Sequence, residues 1–315
     1  MTLSVILMLL AAAQTPSSGA RPLDAHFVND RVLVDAPLAS GGHIRFWTDT
    51  GGGGTILYDR TARLLGLTLA PLPPAMARDF PPGAQRVDGP LPLKSTALPP
   101  PAGPIFVAAD GLTFMGAASD ADGNLGQNWF AGRVWTWDYP RGTLALEPPG
   151  WKPPTDARVI PVGFRPPAPG ASARYFPRIE VTVAGEAISV LLDTGATTVL
   201  TPEAAKAIDG GPRLRATSMI AASRLAAWRR DHPTWRVIEQ AQGGTHARMI
   251  EAVDVAVAGI AVGPVWFTER PDGNFTQMMS AETDRPVEGA LGGNAFHSLR
   301  MTLDYPHGLA AFAKP

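Results

Sequence analysis

Apolar and polar residues alternate strictly through Ile179, Glu180, Val181, Thr182 and Val183. A period of two puts one set of side chains on a core and the other in water, which predicts a half-buried strand. Ala184-Gly185-Glu186 predicts a tight turn. The more continuously apolar residues 187–192 predict a second, deeper strand running into Asp193. Thr201 suits an N-cap and Pro202 the first helical position, so residues 201–208 predict a short helix. The first half of the chain shows a looser version of this pattern. Residues 31–34 and 44–48 predict the corresponding strands. Residues 59–65, stopped by Gly66, predict the corresponding helix.

This parallel extends to two motifs. Asp49-Thr50-Gly51 ends one apolar run and Asp193-Thr194-Gly195 ends the other, and each leads through small residues to an apolar pair, Ile56-Leu57 or Val199-Leu200. Further on, Leu125-Gly126-Gln127-Asn128-Trp129-Phe130 precedes Asp138-Tyr139-Pro140, and Leu291-Gly292-Gly293-Asn294-Ala295-Phe296 precedes Asp304-Tyr305-Pro306. Leucine and aspartate are 13 positions apart in both copies. Two motifs shared in the same order imply an internal duplication over residues 27–150 and 157–315, with one carboxylate per copy. The Pro- and Gly-rich stretch 148–154 reads as a linker, and 166–173 as a second loop. The expected division is a leader at 1–20, a first lobe at 21–150 and a second at 151–315.

From Asp49 to Leu125 is 76 positions, and from Asp193 to Leu291 is 98. The extra 22 are assigned to residues 217–242, where Met219, Ala222, Leu225, Ala226 and Trp228 recur at helical spacing and predict an additional helix. Residues 253–257 and 262–267 read as the arms of a hairpin about 258–261. Residues 71–104, rich in proline, read as an irregular surface region.

Composition narrows the class. The chain's 33 glycines and 32 prolines favour many short strands over long helices, hence an all-β fold with a few short helices. A net charge of −1 supplies no global field for nucleic acid. The absence of cysteine excludes disulfides, thiol catalysis, Cys-ligated metals and an N-terminal lipid on sulfur. Residues 3–13 are an uncharged apolar run followed by small polar residues, the pattern of a secretory leader, although no Lys or Arg precedes it. No 18-residue apolar run exists, so no stable membrane span is expected, and the favoured location is the bacterial periplasm or the exterior. None of the six histidines has metal-ligand spacing, and the glycines after Asp49 lack the ending of a phosphate-binding loop. Arg224, Arg229, Arg230 and Arg236 read as a solvated face anchored by Trp228 and Trp235.

With Asp49-Thr50-Gly51, Asp193-Thr194-Gly195-Ala196-Thr197, Asn124-Leu125-Gly126 and Ala290-Leu291-Gly292, the chain resembles the aspartic peptidases. It looks most like the bacterial retropepsin-like kind, with two units fused as in pepsin-like enzymes. The resemblance implies two pseudo-two-fold related β lobes and hydrolysis of peptide bonds by a water held between Asp49 and Asp193. It also implies support of the catalytic loops by Thr50, Gly51, Thr194, Gly195 and Thr197. Paired carboxyls cannot both ionise, so one serves as acid and the other as base. The expected partner is a peptide or protein substrate, acted on by a monomer without metal or organic cofactor. The alternative is a non-catalytic relative that binds a peptide or cell-envelope ligand in the same cleft. Residues 51–54 are all glycine, where many relatives carry Ser or Thr just after the motif. Gly243-Gly244-Thr245 is the best flap candidate.

Overall fold

The computed structural model describes residues 19–73, 76, 83–95, 97–167 and 173–314. The expected leader lies almost wholly outside the described residues, as does part of the region 71–104.

The first half forms β1 (Arg21–Pro22), β2 (Ala25–Val28), β3 (Arg31–Pro37), β4 (His43–Thr48), β5 (Thr55–Tyr58) and helix α1 (Asp59–Leu64). It continues through β6 (Leu69–Pro71), β7 (Gln85–Val87), β8 (Ile105–Ala108), β9 (Gly123–Leu125), helix α2 (Gln127–Phe130), β10 (Val134–Asp138) and β11 (Thr143–Leu146). After β12 (Arg158–Pro161) come β13 (Arg178–Val183), β14 (Glu186–Leu192), β15 (Thr197–Val199), α3 (Pro202–Ile208), β16 (Leu214–Ala216), β17 (Ser218–Ala221) and α4 (Ala222–Asp231). The chain ends with β18 (Val237–Ile238), β19 (Met249–Ala252), β20 (Val255–Val257), β21 (Ile260–Ala261), β22 (Val265–Arg270), β23 (Gly289–Leu291), β24 (Arg300–Asp304) and β25 (Leu309–Ala313).

Local chemistry explains many of these bounds. Ala184 and Gly185 take positive φ (49° and 82°), the turn that joins β13 to β14 without splaying them. Thr201 accepts a hydrogen bond from the Ala204 amide with Pro202 at the first helical position, so α3 is capped as its sequence predicts. Gly66, at φ 61°, follows the end of α1.

Two large sheets carry the halves. The first runs β2-β3-β4-β9-β5-β8-β7-β6, and the second, taken from its far edge, β21-β20-β13-β14-β23-β17-β22-β19-β18. From β3 to β6 and from β13 to β18 the two orders correspond strand for strand, while β2 and β20 share a place in the sheet but not in the chain. In the first, Ile56 of β5 faces Asn124; in the second, Met219 of β17 faces Ala290. Asn124 and Ala290 occupy the same place, just before each Leu-Gly.

The correspondence corrects two expectations. The counterpart of α1 is α4, not the helix at 202–208, and the additional segment of the second half is 196–217, holding β15, α3 and β16. Residues 217–242 do contain a helix, but it is the one both lobes share. Both α3 and α4 read as helices after an Asp-Thr-Gly motif, and only long-range pairing separates them. The hairpin is likewise smaller than expected. Its arms are β20 and β21 about Ala258-Gly259, and β22 pairs with β19 and β17 instead.

A third sheet, β1-β11-β10-β24-β25-β12, joins the halves. Thr136 lies opposite Thr302 with their hydroxyls 2.8 Å apart. Each stands two positions before its repeat's Asp-Tyr-Pro, so the pair marks the pseudo-two-fold axis. Asp138 and Asp304 end their strands, and each accepts an amide from its turn, Arg141 N and His307 N.

Candidate active site

Each aspartate is placed by a strand crossing. β4 runs parallel to β9, and β14 parallel to β23. The Asp49 amide donates to Leu125 O and the Asp193 amide to Leu291 O, each at 2.9 Å. The apolar-Gly segments expected beside the catalytic loops are therefore those that hold them. Gly126 and Gly292 permit this, because a Cβ there would lie 2.1 Å from Gly54 O and 2.5 Å from Thr217 O.

The crossings bring the two motifs face to face. The Asp49 and Asp193 carboxyls lie close enough for each to shift the other's titration. Packing is reciprocal: a Cβ on Gly51 would meet the Asp193 carboxyl carbon at 2.4 Å, and one on Gly195 would meet that of Asp49 at 2.4 Å. Each glycine is thus the floor under the opposite carboxyl. Thr50 and Thr194, both fully buried, lock the loops together. The Thr194 amide donates to Thr50 Oγ1 (3.0 Å) and the Thr50 amide to Thr194 Oγ1 (3.3 Å), while the Thr50 hydroxyl donates to Leu192 O (2.7 Å).

Both aspartates keep some solvent access at residue level, yet their carboxyls are surrounded by protein atoms. Burial, reinforced by the neighbouring Asp193 charge, holds Asp49 well above the usual carboxyl range. Burial raises Asp193 as well, opposed by the Gly195 amide, by Asp49, and by the amides of Gly51 and Ala196. The Gly195 amide donates to Asp193 Oδ1 (2.8 Å), while the Gly52 amide donates to the main-chain oxygen of Asp49 (3.0 Å). The arrangement favours a proton on Asp49 and a charge on Asp193, with the pair titrating together.

The glycine run is ordered by its neighbours. Gly52 O accepts from Gln127 N (2.9 Å), Gly53 O from Gln127 Nε2 (3.1 Å), and Gly54 O from Asn124 Nδ2 (3.2 Å). A Cβ on Gly52 would lie 2.2 Å from Asp49 Oδ2, and one on Gly54 2.6 Å from the Phe106 ring. A serine after the first motif would therefore displace the carboxyl it is meant to support.

Thr197, expected to support the second loop, lies in β15 opposite Ala216, and among the described residues its buried hydroxyl makes no hydrogen bond. Residues missed from sequence are Asn124, Gln127 and the matched pairs Thr55–Asn128 and Ser218–Asn294, each 3.0 Å apart. The two asparagines stand at one place in the repeated motif, a signal that was available.

The ribbon spans the lobes. Val199 packs with Leu112 and Met115 of the first lobe, alongside Trp47 and Leu214. The Ala216 amide donates to Asn29 O (3.0 Å), and Asn29 Nδ2 to Leu214 O (3.1 Å). The flap candidate belongs to this junction, since the Gly243 amide donates to Val199 O (2.8 Å). The arginines near Trp228 have partners within the chain: Arg224 pairs with Glu186 and Glu288, Arg229 with Glu239, and Arg236 with Glu251.

No protein-family model and no curated protein sequence matches the chain. Among solved structures, an aspartic proteinase from Irpex lacteus superposes with a TM-score of 0.50 at 9% identity, covering 94% of this chain and 97% of that one. Identity that low speaks to architecture alone, and on that level the chain has the all-β, two-lobed fold of an aspartic proteinase.

Proposed function

We propose that the chain is an aspartic endopeptidase of the two-repeat, retropepsin-like kind, cutting peptide bonds with Asp49 and Asp193. The observation that carries this reading is the facing carboxyl pair, each member seated on the other repeat's glycine. Asp193, whose carboxylate accepts the Gly195 amide, is the base: it takes a proton from a water whose oxygen attacks the substrate carbonyl carbon. Asp49 gives its proton to the carbonyl oxygen. Asp193 then returns its proton to the amide nitrogen as the C–N bond breaks, and Asp49 is reprotonated from the diol. Extended substrate lies between the lobes, partly bound by backbone hydrogen bonds. The proposal includes a leader at residues 1–20, lobes at 21–150 and 151–315, export to the periplasm or beyond, and action as a monomer. Among the described residues no helix is long and apolar enough to cross a membrane.

The test is hydrolysis of a peptide library by the purified protein. Asp49→Asn and Asp193→Asn should each lower kcat by about 10²–10⁴-fold, and a statine-type inhibitor should block the wild type. Hydrolysis that survives both substitutions ends the reading.

A further inference from the structure

The matching faces of the two large sheets are finished differently. In the second lobe, Phe267 packs edge-on to Trp228 with ring centroids 5.2 Å apart, and Trp228 meets Trp235 at 5.8 Å, closing that face with aromatic rings. The register places Ile105 of β8 where Phe267 lies in β22. Around Ile105 there is no such filling. Helix α1 buries only Thr61 and Ala62, and Leu64 points to solvent. A pocket of about 630 Å³ opens instead, floored by Phe46, Leu125 and Trp129 and roofed by residues 89–91, 93–95 and 98–101.

The roof is pinned on both sides, which keeps the pocket from collapsing. The Lys94 amide donates to Pro37 O and the Ala39 amide to Pro92 O, each at 2.9 Å. At the other side, Trp129 Nε1 donates to Pro99 O and Arg133 Nη2 to Pro100 O, each at 2.8 Å. Prolines 99–101 stiffen the span between. The pocket is not the interlobe cleft. Successive residues of a strand face opposite ways, so Phe46 lines the pocket while Trp47 packs toward Met115 and Val199 at the lobe junction.

More of the lining surface is apolar than polar. Its only charged side chains are Arg86, shared with Asp88, and the exposed Lys94, for which no ion pair forms among the described residues. Its volume falls in the range of small-molecule sites, and a rigid apolar cavity is apt to hold an apolar guest. We propose that the first lobe binds a single-chain amphiphile with an anionic head, such as a long-chain fatty acid. The hydrocarbon takes the place that aromatic rings fill in the second lobe, and the carboxylate sits at Lys94 and Arg86. Phe46 and Leu125 lie on the strands that hold Asp49, so the guest would touch the frame of the dyad without entering the cleft. The proposal does not depend on peptide hydrolysis.

Equilibrium dialysis with radiolabelled palmitate, below its micellar concentration, tests this. Wild type should bind one palmitate per chain saturably, and Leu93→Trp, which fills the pocket, should abolish binding. Lys94→Glu should weaken palmitate about tenfold or more while leaving hexadecanol binding unchanged. Lys94 is exposed, so that variant should fold even if Leu93→Trp does not, and circular dichroism checks both. No saturable palmitate binding overturns the proposal. So does Lys94→Glu binding palmitate as wild type does, or tetraleucine amide competing as well as palmitate.

Discussion

The two lobes share a sheet order, a strand crossing and an Asp-Thr-Gly loop, yet they treat the space around the dyad in opposite ways. After Asp49 the chain reaches β5 through four glycines. After Asp193 it makes a ribbon of β15, α3 and β16 before reaching the equivalent strand. The short connection needs glycine because both carboxyls and the Phe106 ring occupy the space where side chains would stand. The long connection packs across the lobe junction. The back of the sheets is reversed: the second lobe is closed by Trp228 and Trp235, while the first is left open under a proline strap. The lobes therefore share what holds the aspartates and differ in what surrounds them.

The difference between the backs can be broken most forcefully. Phe267→Ala should destabilise by about 3–5 kcal/mol, whereas Ile105→Ala, at the matching place beside the pocket, should cost less than half as much. Urea denaturation of both variants measures this, and equal losses would mean the two faces are packed alike.

The glycine loop comes next. Gly52→Ser should lower kcat about 10²-fold with the fold intact by circular dichroism. Gly53→Ser should be silent, because a Cβ on Gly53 meets nothing within 4 Å. An active Gly52→Ser would show that the loop has room to yield.

The threonine lock is also unequal. Thr50→Val strands both the Thr194 amide and Leu192 O, for a cost of roughly 2 kcal/mol. Thr194→Val strands only the Thr50 amide, for roughly 1 kcal/mol. Matched denaturation curves would reverse the assignment of Thr50 as the main clasp.

The smallest effect separates the aspartates by pH. Asp49 titrates higher when folded than when unfolded, so its contribution is fully present below the unfolded value and lost as pH rises through the folded one. Asp49→Asn should therefore be more stable than wild type at neutral pH, by roughly 1 kcal/mol, and no more stable near pH 3. Asp193→Asn should gain less, because the Gly195 amide donates to its carboxylate. Hydrolysis itself should fall as pH rises through the raised titration of the pair. Thermal melts and rate profiles across pH check the two statements, and a larger gain from Asp193→Asn would exchange the roles of acid and base.

Much of the site was legible before any coordinates. Period-two alternation named β13 and β14, Thr201-Pro202 named the start of α3, and the repeated Asp-Thr-Gly and Leu-Gly motifs named the two loops and the segments that hold them. These are local facts, set by pleat geometry, capping and the side chains of a few adjacent residues.

By itself, the sequence determined that there are two like units, what each is made of, and that each ends a buried strand in a carboxylate. Tertiary structure alone decided that α4 rather than α3 answers α1, that the extra ribbon bridges the lobes, and that one sheet face is filled while its twin stands open. Those outcomes depend on which distant strands pair and how much volume their side chains leave between them. Neither quantity is written in any short stretch of residues.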